Sequence, residues 1–160
     1  VDAGQLQLNL QPVAVRELLE RTAVSFQHQA QQQQINLTAA TPTNLFIQAD
    51  ESRLIQLLGN LISNALRHTP PDGHIWLQAE SDSNLARLIV QDDGEGIPPE
   101  DVPHIFDRFY RADKSRHTEQ SGMGLAITRS LVEVHGGTIE VSSRVGEGTK
   151  YVVAITAVSV

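Results

Sequence analysis

DESRLIQLLGNLISNALRHTP, residues Asp50 to Pro70, is the stretch on which the reading of this chain turns. At about 100° per residue, Leu54, Leu57, Leu58, Leu61, Ile62, Ala65 and Leu66 fall within one broad apolar arc, as in a helix packed on a core. Arg53, Asn60, Asn64, Arg67 and His68 fall together on the other side. Asp50 is suited to cap the helix, Glu51 lies in the first turn where the helix dipole favours negative charge, and Thr69-Pro70-Pro71 forces the chain out. One helix with two unlike faces is expected here.

The polar face needs a reason. Asparagine costs up to about 0.7 kcal/mol relative to alanine in a helix, and Gly59 costs about 1 kcal/mol more. A face that only meets water would use Glu, Lys or Gln at less cost. Two asparagines four residues apart, followed by Arg67 and His68, set neutral oxygen ligands and cationic donors along one line, which suits a metal-bound polyphosphate. On this helix alone, a solvated outer face that happens to contain asparagine is an equal alternative, and the glycine-bearing loops downstream must decide.

The chain has 160 residues, the size of one domain able to bury a sizeable core. Its net charge of -7 argues against a nucleic-acid partner, whose phosphates need a basic surface. With no cysteine, neither a disulfide framework nor a thiolate metal site is available. No apolar run approaches the roughly 20 residues that span a bilayer, and no signal peptide is visible, so this piece is expected to be soluble and without direct membrane contact.

Upstream of the central helix, LQLNL at 6 to 10 alternates as a short strand would. Residues 13 to 33 read as a helix with Val15, Leu18, Leu19, Ala23 and Phe26 inward and a solvated, Gln-rich end on which His28 faces water. INLTA and LFIQA, separated by Thr41-Pro42-Thr43-Asn44, look like two strands. Downstream, HIWLQAES and ARLIVQDD form another strand pair, with Trp76 expected in the core. From Gly94 to Ser121 short helical turns and then a mobile loop are expected. GLAITRSLVEVHG reads as a helix offering Leu125, Ile127, Leu131 and Val134 for burial, stopped by Gly136-Gly137. TIEVSS and TKYVVAITA close the chain as strands around Gly146-Glu147-Gly148. This order predicts a two-layer α/β (α+β) sandwich, with a mixed, mainly antiparallel sheet on about three helices, rather than a βαβ dinucleotide fold.

Three loops carry the chemistry. QDDGEGIP, 91 to 98, ends an apolar strand; Gly94 and Gly96 permit conformations or close approaches that a Cβ would block, and the Asp92 carboxylate, an acceptor only, could take the exocyclic amine of adenine. Taken alone, it is as readily a tight turn with Asp as turn former. SGMGLAI, 121 to 127, opens a helix at Gly122 and Gly124, where free N–H groups and the positive dipole end suit phosphate. It is neither a Walker A loop nor a Rossmann fingerprint. GEGTKY, 146 to 151, is a hairpin from which Thr149 could reach a nucleotide. Between the first two loops, Arg108, Arg111, Lys114 and Arg116 gather as a nucleotide lid would, or as a solvated basic loop, with Phe106, Phe109 and Tyr110 anchoring its base.

In this order the stretches resemble the ATP-binding catalytic domain of sensor histidine kinases, in the GHKL superfamily with its Bergerat ATP-binding fold. NLISNALRHTP is similar to the N box, DDGEGIP to the G1 box, IFDRFYR to the F box, SGMGLAI to the G2 box and GEGTKY to the last glycine box, over about Asp50 to Ile155. VDAGQLQLNLQPV resembles the join that follows the family's dimerisation helices. This implies a join at 1–12, an ATP-binding catalytic domain at 13–160 and a lid at about 99–121.

The resemblance implies ATP and Mg²⁺ as cofactors. Asn64 would ligate Mg²⁺ through its amide oxygen, and Asn60, Arg67 and His68 would line the phosphates as the catalytic residues. Asp92 would bind adenine, with Gly94 and Gly96 shaping the pocket and Thr149 assisting, and Gly122 and Gly124 would admit the phosphates. Ile97, Phe109, Tyr110, Arg116, Met123 and Leu125 complete the implied nucleotide surface. The implied partners are a histidine-containing dimerisation domain of the same parent protein and a response regulator receiver domain, in the cytoplasm, with the parent free or anchored in the inner membrane.

Two departures stand out: Gln120-Ser121 where many members carry a longer glycine run, and no histidine among the six in a phospho-acceptor context. The chain is thus expected to bind ATP without autophosphorylating alone. A self-contained GHKL ATPase is the chief alternative, but its members resemble one another in a Glu at the place of Asn60, and an amide cannot deprotonate water. A serine kinase of the anti-sigma type and a nucleotide-free scaffold are further options; the retained Asn64, Asp92, Gly122 and Gly124 weigh against the scaffold.

Overall fold

The computed structural model describes residues 7–41, 44–107 and 123–158. Among these, seven strands form one mixed sheet, in the order β1 (Gln11–Ala14), β3 (Phe46–Ala49), β7 (Gly148–Val158), β5 (Leu85–Asp92), β4 (His74–Asp82) and β2 (Asn36–Ala40), with β6 (Thr138–Arg144) also paired to β7. β2 runs parallel to β4 and every other pairing is antiparallel. Three helices, α1 (Val15–Gln32), α2 (Glu51–His68) and α3 (Met123–Val134), pack their apolar sides on one face of it. This is the expected two-layer α/β sandwich.

Strand alternation assigns the faces. In β5, Ala86, Leu88, Val90 and Asp92 turn toward the helices; beside them in β7 stand Ile155, Val153, Tyr151 and Thr149. On α2, all seven expected residues, Leu54, Leu57, Leu58, Leu61, Ile62, Ala65 and Leu66, are buried. Asp50 caps this helix, its carboxylate accepting the N–H of Arg53 at 3.3 Å, the Ser52 hydroxyl at 2.9 Å and the N–H of Asn9 at 3.0 Å. α3 ends as expected, with Gly136 at φ +74° and the Gly137 N–H returning to the Val132 carbonyl. The next residue back, His135, ties the two helices: its Nδ1–H donates to the Leu131 carbonyl, so Nε2 accepts the Asp50 N–H at 3.2 Å.

Four expectations are corrected. Of the LQLNL stretch, residues 7–10 form no strand, and β1 starts at Gln11 because its register is set by pairing with β3, Gln11 opposite Ala49. Val13 and Ala14 belong to that strand, so α1 begins at Val15 rather than 13, its first N–H held by the Leu45 carbonyl. Trp76 is not core. Ile75 and Leu77 point inward, so alternation sends Trp76 to the uncovered face, where it stacks on His74 with ring centroids 5.4 Å apart. Ile127 is 37% exposed; beside the expected Leu131, α3 buries Thr128 and Val132 instead.

The hydrogen bonds at Asp50 hold its carboxyl below the ordinary value, chiefly through the Asn9 N–H. Its stabilisation is therefore present above the unfolded value of about 3.9 and is lost as pH falls through the lower folded value. Asp50→Ala is expected to cost about 1–2 kcal/mol in urea unfolding at pH 7, with the difference narrowing in acid below that range.

Candidate functional site

Two of the buried polar residues, Asp92 and Thr149, face each other on neighbouring strands β5 and β7. Asp92 is the last residue of β5 and is only 4% exposed, on the face toward the helices. Its Oδ1 accepts the Gly94 N–H at 2.8 Å. Burial pushes the carboxyl above its ordinary value, and the Gly94 and Thr149 N–H groups pull it partly back. Thr149 stands directly opposite on β7, and its hydroxyl lies 2.8 Å from that of Ser143 on β6.

On α2, Asn60 and Asn64 are one turn apart and both half-buried. Asn60 Nδ2 donates to the hydroxyl of Thr128 on α3 at 3.2 Å, and Asn64 Nδ2 donates to the hydroxyl of Tyr151 on β7 at 2.7 Å. Thr128 and Tyr151 are 0% and 1% exposed. Each amide nitrogen is thus tied to a buried hydroxyl from a different element. Burial pushes the Tyr151 phenol well above its ordinary value, so it stays neutral.

The loop after β5 is stitched to both neighbours. The Glu95 N–H donates to the His68 carbonyl at 3.0 Å, the Gly146 N–H donates to the Glu95 carbonyl at 2.8 Å, and the Ile97 N–H donates to Ser143 Oγ at 2.7 Å. A Cβ at Gly94 would lie 2.3 Å from the His68 carbonyl oxygen. At Gly96, where φ is +78°, it would lie 2.1 Å from that of Arg144. Both glycines admit another part of the chain's own backbone.

The expected site residues therefore divide. Asp92, Gly94 and Thr149 come together, with Asn64 joined to Tyr151 two residues from Thr149, Asn60 tied instead to Thr128 of α3, Gly96 and Ile97 bracing the loop and Leu125 half-buried on the core. His68 turns its Nδ1 to the Glu95 carboxylate at 3.1 Å, and Arg67 is exposed one residue before it. Met123 and Gly124 open α3. Phe109, Tyr110, Arg116 and Gly122, with most of the expected lid, lie outside the described residues. Sequence reasoning missed Ser143, Thr128 and Tyr151. Tyr151 had a signal: it shares a strand face with Val153 and Ile155, where a phenol must find a partner.

The architecture is that of the histidine-kinase catalytic-domain fold. Residues 49–158 match the histidine kinase-, DNA gyrase B- and HSP90-like ATPase family, and the chain belongs to it. Sensor histidine kinase YclK of Bacillus subtilis (strain 168) is 37% identical over 158 residues, which cover 97% of this chain and 33% of that protein. Full-length ShkA in complex with AMPPNP matches with a TM-score of 0.85 at 30% identity, over 97% of this chain and 32% of that one. Histidine kinase ThkA in complex with response regulator protein TrrA matches at 0.78 and 27%, over 92% and 41%. This chain thus spans about a third of the length of curated relatives such as YclK. Among its described residues, no helix is long and apolar enough to cross a membrane.

Gly94→Ala, whose Cβ meets a backbone carbonyl, is expected to cost about 1–3 kcal/mol in denaturant unfolding. Gly59→Ala is expected to do the reverse: its Cβ would sit 3.6 Å from the Phe26 ring, an ordinary contact, and the helix gains about 0.5–1 kcal/mol.

Proposed function

We propose that this chain binds Mg-ATP along the asparagine side of α2 and donates the γ-phosphoryl group to a histidine on a separate dimerisation domain of the same parent protein. A response regulator receiver domain then takes the phosphoryl group, and the reaction is cytoplasmic. The single observation that carries the reading is that Asp92 and Thr149 stand opposite each other on β5 and β7 while Asn64, one turn after Asn60 on α2, reaches Tyr151 two residues from Thr149. Family membership and the likeness to ShkA, solved with AMPPNP, support it. The likeness to ThkA, solved with a response regulator, supports the partner.

Each residue has a task that its chemistry suits. Asp92, an acceptor held at the rim of an apolar core, takes the exocyclic amine of adenine, while Thr149 beside it reaches the base directly or through water. Arg67 and His68, at the end of α2, line the phosphates with Asn60. Gly122 and Gly124 admit them, and the start of α3 at Met123 offers its N–H groups, with a lid at about 99–121. Residues 1–12 act as the join to the dimerisation region.

The donor set fits Mg²⁺. Among the described residues no group of three or more His, Cys, Asp or Glu could hold a cation, so an ion here takes most of its oxygens from the nucleotide. Asn64 supplies a neutral amide oxygen, its nitrogen already engaged by Tyr151. Bound there, Mg²⁺ would neutralise charge on the transferring phosphoryl group.

Asn60 favours transfer over hydrolysis. Its amide is tied to Thr128 and cannot take a proton from water, and the only acid on α2 is Glu51 in the first turn. A histidine acceptor brings its own nucleophilic nitrogen, so positioning and charge neutralisation suffice.

Mg-ATP titration by calorimetry tests the reading. The purified chain is expected to bind, and Asp92→Asn to lose ten- to hundredfold in affinity, about 1.5–3 kcal/mol for a hydrogen bond to a charged group. Supplied with a histidine-bearing helical hairpin from its parent, the chain should label that histidine from γ-labelled ATP. Absence of nucleotide binding would favour the scaffold, and steady hydrolysis without the hairpin would favour the self-contained ATPase.

A further inference from the structure

Tyr151 stands in the middle of β7 with its ring buried between Thr149 and Val153 on the helix-facing side, opposite Val90 of β5 and Val141 of β6. A phenylalanine would fill the same space. A hydroxyl buried among valines costs free energy unless it is paired, and its partner here is Asn64 Nδ2 at 2.7 Å. We infer that Tyr151 is a positioning residue for the cation: by accepting the Asn64 amide N–H, its hydroxyl holds the Asn64 oxygen toward the Mg²⁺ of bound nucleotide. This rests on the functional reading above and adds to it a residue that touches neither nucleotide nor metal.

A side-chain amide has two nearly equal ends. Turned by half a rotation, Asn64 would present N–H groups to a cation, and the ion would repel them. Only a fixed neighbour that takes the nitrogen end favours the productive orientation before the ion arrives. The Tyr151 hydroxyl meets that need: it lies 2.7 Å from the amide nitrogen, on a side chain only 1% exposed. Its place is equally fixed, since it belongs to a strand paired on both sides. Outer partners of this kind orient metal ligands in general, and removing one typically costs ten- to a hundredfold in metal affinity or activity.

The test separates nucleotide from metal. Affinity for AMPPNP is measured by calorimetry in EDTA and again with excess Mg²⁺; the ratio is the Mg²⁺ increment. Tyr151→Phe is expected to keep the EDTA affinity within about twofold, which also reports an intact fold, and to lose about tenfold of the increment. Asn64→Ala should abolish the increment, and Tyr151→Phe should then add nothing in that background. An unchanged increment in Tyr151→Phe, an equal loss with and without Mg²⁺, or additivity with Asn64→Ala would overturn this assignment while leaving the functional reading intact. Failure of the unsubstituted chain to bind AMPPNP under either condition would overturn the functional reading and this assignment with it.

Discussion

The structure is organised around one carboxylate kept at the rim of an apolar core. An isolated ionised acid in such a place is expensive, and Asp92 is tolerated because β5 ends there and two backbone N–H groups converge on it. Gly94 supplies one of them and must lack a side chain, because the His68 carbonyl occupies the space. Thr149 supplies the other from the facing strand. The loop is then held by Ser143, whose hydroxyl accepts the Ile97 N–H and lies within reach of Thr149. A buried acceptor aimed into the gap between helices and sheet follows from this arrangement, before any ligand is considered.

The second element of the site, the asparagine stripe, is held by the core behind it. Six leucines and isoleucines of α2 are fully or almost fully buried, and each contributes about 1.5–3 kcal/mol. Turning the helix by one residue's angle would expose several of them, a cost far above that of any single polar contact. Asn60 and Asn64 are thereby fixed in position, and the hydroxyls of Thr128 and Tyr151 need only choose which end of each amide faces outward. Packing supplies the coarse placement and hydrogen bonding the fine.

Under the proposed function, histidine phosphorylation would ask little covalent chemistry of this domain. The candidate site offers hydrogen-bond acceptors and donors and two neutral amides, with no acid on α2 beside the asparagines. Such a composition suits the proposed phosphoryl donor, which must wait for its acceptor, better than an enzyme that spends nucleotide on water. Glu95 turns a carboxylate to His68 at the end of α2.

Much was legible in the residues alone because the signals were periodic. The 3.6-residue pattern of α2, its Asp50 cap, the glycine stop of α3 and the alternation of β4, β5 and β7 each depend on neighbours close in the chain. Trp76 was legible too: it lies between two inward residues, and bulk suggested the wrong face. Local signals could not decide where the first strand begins, since β1 takes its register from a strand more than thirty residues away. Nor could they decide which backbone Gly94 and Gly96 must clear, or that Thr128 and Tyr151 would meet the two asparagines. Those facts join α2 to α3 and β7, elements far apart in sequence, and they exist only once the helices have closed over the sheet.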